Sequence, residues 1–119
     1  MKTQAFLIAL LFSSSASHAV SFDCTKASTS VEKSICSDPL LGKLDDALSE
    51  NYKYMLASDI GDGARKDLKA TQKKWISNRN KCTNNSCLTE AYRKRVDEVC
   101  DYPVISGVHP ICTYSDDIK

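Results

Sequence analysis

QKKWISNRNKCTNNSCLTEAYRKR, residues 72–95, decides how the chain folds. Gln72, Trp75 and Arg79 fall at i, i+3 and i+7, one face of a helix with a 3.6-residue period. Leu88, Tyr92, Arg95 and Val99 repeat that pattern after a polar break. In the break, Cys82 and Cys87 bracket Thr83, Asn84, Asn85 and Ser86, whose short polar side chains bond to nearby backbone and favour turns. The stretch reads as a helical hairpin stapled at its bend.

Upstream, Met1 to Ala19 has the form of a signal peptide: Lys2, an apolar run from Ala5 to Phe12 too short to span a bilayer, and a small-x-small site at Ser17-His18-Ala19. The mature chain is then expected to begin at Val20. Cys24 follows Ser21, Phe22 and Asp23 without a Leu-rich lipobox, so a lipid anchor is not expected and a periplasmic or secreted location is. Thr29 with Glu32 is a capping-box signal for a short helix ending near Ser37. Asp38-Pro39 starts a second helix reaching about Ser58, with Leu41, Leu44, Leu48, Tyr52 and Met55 on one face. A loop is expected at 59–63, then helices from Ala64 to Lys81 and from Ser86 or Cys87 to Cys100. The fold class is all-α, a small disulfide-stapled helical domain of three to four helices over residues 20–100, followed by an irregular tail at 101–119.

Six cysteines, all beyond the leader, are an even set in an exported chain and point to a disulfide framework. Many pairings are open; the neighbour pairing, Cys24 with Cys36, Cys82 with Cys87 and Cys100 with Cys112, closes the shortest loops. A zinc site is disfavoured by the absence of a CxxC pair and by a single mature histidine, His109. No cofactor is expected. The formal charge of +1 conceals an asymmetry: residues 20–62 carry four basic and eight acidic side chains, residues 63–100 ten and four. The basic middle reads as a solvated helix face, and export without interleaved aromatics argues against nucleic acid.

The stretches FDCTKASTSVEKSICSDPLLGKLDDALSENY, at Phe22 to Tyr52, with QKKWISNRNKC and CLTEAYRKR, resemble the lysozyme inhibitor LprI-like family from Phe22 to about Val99. The resemblance implies a small exported helical domain, some of whose relatives bind and inhibit lysozyme. Asp101 onward, with Cys112, falls outside the pattern.

Glu32 reads as a cap and not as an acid catalyst. Trp75 and Tyr92 read as core anchors. Gln72, Arg79 and Arg95 lie on the same inward stripes, where they either form a hydrogen-bonded network, with Asp45 as a partner, or line a functional surface. Catalysis finds no nucleophile beside a base, and Asp45-Asp46 and Asp116-Asp117 are adjacent pairs that diverge on a helix. The expectation is a binding module, not an enzyme: an inhibitor of lysozyme or a related cell-wall hydrolase, or else an immunity-type envelope protein with another protein partner. The expected contact is the pinned bend, through Lys81, Asn84 and Asn85, with Asp59 and Asp62 steering a cationic target.

Overall fold

The side chain of Thr29 accepts a hydrogen bond from the Glu32 N–H at 3.1 Å while the Glu32 carboxylate reaches back to the Thr29 N–H, so helix α1 (Ser30–Ser37) begins with a complete capping box. The chain is described by a computed structural model over residues 20–119, and the leader expected at 1–19 lies outside the described residues. Helix α1 stops after eight residues because Asp38 precedes a proline, which disfavours helical backbone there; Asp38 is extended (φ −97°, ψ 116°). The same aspartate caps helix α2 (Pro39–Ala57), accepting from the Leu40 and Leu41 N–H groups at 2.9 and 3.0 Å.

Helix α3 (Asp62–Arg79) starts earlier than the sequence predicts. Gly61 takes the positive φ (81°) that the turn requires, so Asp62 and Gly63 join the first helical turn instead of the loop, where the Asp62 carboxylate complements the helix dipole. The helix also ends two residues early, at Arg79, because Lys81 and Cys82 turn through bonds to the Asn78 and Arg79 carbonyls. Asn84 then caps helix α4 (Asn85–Cys100) by accepting from the Cys87 N–H at 2.8 Å.

Among the described residues these four helices are accompanied by two short 3-10 turns and no strand. Helices α2 and α4 form the main interface, α1 covers α2, and α3 rests more lightly on α4. Leu41, Leu44, Leu48 and Met55 of α2 interleave with Leu88, Tyr92, Val96 and Val99 of α4; Ile35 and Leu68 close the two sides. Tyr52, expected on that face, is only half buried. Cys24 is bonded to Cys36, Cys82 to Cys87 and Cys100 to Cys112.

The C-terminal segment is irregular but tightly held. Asn51 of α2 grips Thr113 in both directions, accepting from its N–H at 2.9 Å and donating to its carbonyl at 2.8 Å. Asp97 accepts from both the N–H and the hydroxyl of Ser115 at 2.8 and 2.7 Å, and Arg93 donates to the Ser115 and Ile118 carbonyls. Ile118 is thereby buried in the core. No helix among the described residues is long and apolar enough to cross a membrane.

The helix directions give the molecule two ends. Eighteen residues of α3, at 1.5 Å per residue, set the Cys82–Cys87 bend about 27 Å from the turn at 58–61. At the bend end, Asn85 donates to Asp38 at 3.2 Å. At the other, the Ile105 N–H donates to the Asp59 carbonyl at 2.9 Å.

Candidate functional site

Tyr92 is the one fully buried aromatic among the described residues, and its hydroxyl sits at the centre of a polar relay. It donates to Asp45 at 2.7 Å and accepts from the Arg79 guanidinium at 3.0 Å. The second Asp45 oxygen accepts from the Ser21 N–H, which ties the chain's lead-in to α2. Arg79 also donates twice to Asn80, at 3.2 and 2.9 Å, and lies 5.7 Å from the Trp75 ring centre. Asp45 is therefore linked to Arg79 through the tyrosine and not directly, as the sequence led us to expect. Arg95, three residues beyond Tyr92 and so about 60° around α4, turns instead toward α3: it donates to Gln72 at 2.9 Å and Thr71 at 3.2 Å, with Glu98 at 3.4 Å. The two arginines thus hold α3 to α4 at two separate points.

Burial, and then the negative charge of Asp45, raise the Tyr92 pKa well above the ordinary 10.0. A folded-state pKa above the unfolded value means that this contribution to stability is complete below the unfolded pKa and is lost as pH rises through the folded one. Stability should accordingly hold to about pH 10 and then fall by up to about 1.4 kcal/mol per pH unit from this group. Denaturant titrations at stepped alkaline pH check this, and Tyr92→Phe should flatten the decline.

Trp75 is half buried rather than a fully enclosed core anchor. It meets Tyr92 edge-on at 4.9 Å between ring centres, and its indole N–H donates to the Ala91 carbonyl at 3.3 Å. Its other face borders a cavity of about 200 Å3 between α2 and α3, shared with Asp45, Tyr52, Gln72, Ile76 and Arg79. Because α3 rests lightly on the bundle, Trp75→Ala should cost on the order of 2 kcal/mol, short of what a fully enclosed ring would; a denaturant curve beside that of the exposed Lys74→Ala measures it.

The residues expected to touch a partner fall at opposite ends. Lys81 is exposed beside the bend, but the Asn84 side chain is used as the α4 cap and that of Asn85 is bonded to Asp38. Asp59 and Asp62 lie at the far end of α3; Asp62 pairs with Arg65 at 2.9 Å, while Arg65 also holds the Leu56 and Ser58 carbonyls. Sequence reasoning missed what stands beside them: the loop closed by Cys100–Cys112, with Ile105, Val108 and Ile111 turned to solvent. Their three-residue spacing, in a segment broken by glycine and proline and so unable to bury them on a helix face, was the available signal. Among the described residues no group of His, Cys, Asp and Glu is arranged to hold a metal ion.

The likeness to known proteins covers the helical part. Residues 24–99 match the profile of the family described as lysozyme inhibitor LprI. Lipoprotein LprI of Mycobacterium bovis and of two strains of Mycobacterium tuberculosis are each 32% identical to this chain over 98 residues, covering 79% of it and 48% of theirs. The chain thus spans about half the length of the curated relatives it matches. No solved structure matches it. The matched span encloses all four helices except the last residue of α4, two of the three disulfides and the whole Asp45–Tyr92–Arg79 relay, and the chain belongs to the lysozyme inhibitor LprI family.

Proposed function

We propose that this chain is an exported binding protein that inhibits a lysozyme or a related cell-wall hydrolase, working in the periplasm or outside the cell. The match of residues 24–99 to a family described by that inhibition carries the reading. Three disulfides suit an oxidising compartment, and the relatives are named lipoproteins. The polar groups at the relay are engaged with one another, as a structural network requires, and a tyrosine whose pKa is raised is a poor base. Inhibition then follows from occlusion: lysozyme-type clefts hold two catalytic carboxylates about 5 to 10 Å apart, and a rigid body seated there excludes substrate.

Either end of the molecule offers a rigid body. The Cys82–Cys87 bend is short, stapled and shaped by the Asn84 cap and the Asn85–Asp38 bond, leaving Lys81 and Thr83 to face a carboxylate-lined cleft. The opposite end offers Asp59 and Asp62 to a cationic enzyme. Calorimetric titration of the oxidised chain into lysozymes of several types tests the function: one-to-one binding to at least one is expected. Because the match covers only half of each relative, an envelope protein with a different partner is the second reading, and absence of heat and of a complex with every lysozyme would favour it.

A further inference from the structure

We propose that the end formed by the turn at 58–62 and the loop at 101–112 is the surface by which this chain holds a cationic cell-wall hydrolase, an inference that rests on the inhibitor reading above. The loop presents Ile105, Val108 and Ile111 at 72%, 76% and 88% exposure. Large aliphatic side chains grouped on the surface of an exported domain mark a site that a partner covers. Beside Ile111 a cleft of about 390 Å3 opens between Tyr54, Ala57, Ser58 and Pro110.

The loop is built to protrude without being loose. Cys100–Cys112 closes it, and the grip of Asn51 on Thr113 fixes its outgoing strand of chain. Its middle is bound by the Ile105–Asp59 hydrogen bond and by the His109 ring on the Tyr102 carbonyl, both 2.9 Å, while Gly107 takes the positive φ (74°) of the tip. A Cβ on Gly61 would stand 3.4 Å from the Ile105 side chain, so the turn and the loop form one surface. Little ordering entropy remains to be lost on docking.

Charge identifies the occupant. Residues 54–64 and 101–114 carry Asp59, Asp62 and Asp101 and neither lysine nor arginine; Arg65, the next residue, is paired with Asp62, which leaves Asp59 and Asp101 as the acids of this end without a cationic partner among the ion pairs of the described residues. A basic enzyme approaching this molecule is attracted to the acidic end and repelled along the lysine-rich faces of α3 and α4. Screening over about 8 Å at physiological salt is short beside the roughly 27 Å length of α3, so Asp59 and Asp101 draw a partner to their own end and not to the bend. The loop lies beyond residues 24–99 that match the family.

The test pairs Val108→Asp with Ile111→Asp in one full-length, oxidised variant and places Asp59→Lys in a second, with Thr83→Arg at the bend and Lys33→Ala on α1 for comparison. Each is titrated against an animal-type, basic lysozyme, with unchanged melting confirming the fold. We expect the apolar double variant to bind about thirtyfold more weakly, as loss of interface hot spots does. Asp59→Lys should slow association at low salt only, and Lys33→Ala should change nothing. Full affinity in both the double and the Asp59 variants, or loss confined to Thr83→Arg, overturns the assignment and leaves the inhibitor reading standing. A homodimer that the double variant dissolves while lysozyme binding is unaltered also overturns it. No binding by the unaltered chain sinks the inhibitor reading and this surface together.

Discussion

Tyr92→Ala is expected to cost about 3 to 5 kcal/mol from the vacated ring alone, with a further 1 to 3 kcal/mol from the partners it abandons. The side chain is fully buried in the core shared by α2 and α4, so its loss leaves a cavity at their main interface. Its hydroxyl is also the link between Asp45 and Arg79. Removing it leaves a carboxylate only 4% exposed with the Ser21 N–H as its remaining partner. Since small domains are stable by about 5 to 15 kcal/mol in total, the variant should be largely unfolded at 37 °C. Tyr92→Phe separates the two losses: it keeps the ring, and should cost only the hydrogen-bond part. Equal destabilisation by the two substitutions would show that packing of the ring is unimportant, contrary to the structure.

Reduction of the three disulfides is expected to have an effect as large. Each crosslink stabilises typically by about 2 to 4 kcal/mol by restricting the unfolded chain. Cys24–Cys36 and Cys100–Cys112 each close a separation of 12 residues and anchor the two ends of the domain, while Cys82–Cys87 closes only 5. Taken together they rival the whole net stability of a domain this small. Thermal unfolding after reduction and alkylation, checked by mass, should fall by tens of degrees, at about 4 to 8 °C per kcal/mol. The end segments, at Cys24 and at Thr113 to Lys119, should lose hydrogen-exchange protection first.

What could be read from the sequence was whatever is local. The Thr29–Glu32 box, the Asp38-Pro39 start and the α2 stripe from Leu41 to Met55 each depend on neighbours within a turn or two of helix, so spacing alone reveals them. The α3 start was misplaced because two glycines, Gly61 and Gly63, look alike in sequence and only the first takes positive φ. The relay was half legible: Tyr92, Arg79 and Asp45 all lie on inward faces, but which of them touch depends on the rotation of α4 against α2, across 47 residues. The tail was illegible. Its clasp by Asn51, Asp97 and Arg93 is purely tertiary, and Ile118 carries no pattern that distinguishes a core residue from the exposed Ile111. Of the expected contact residues, Asn84 and Asn85 proved to have structural partners, while Asp59 and Asp62 stand at the opposite end of α3 from Lys81.

In the reading proposed above, this chain stops a cell-wall hydrolase by occupying it. The most direct measurement is the rate at which lysozymes of several types clear a suspension of cell-wall substrate, followed against increasing amounts of the oxidised chain. For at least one type the rate is expected to fall in a saturable manner toward zero near equimolar ratio, and chain reduced and alkylated beforehand to have no effect. Clearing rates unchanged at large molar excess for every lysozyme type would contradict it.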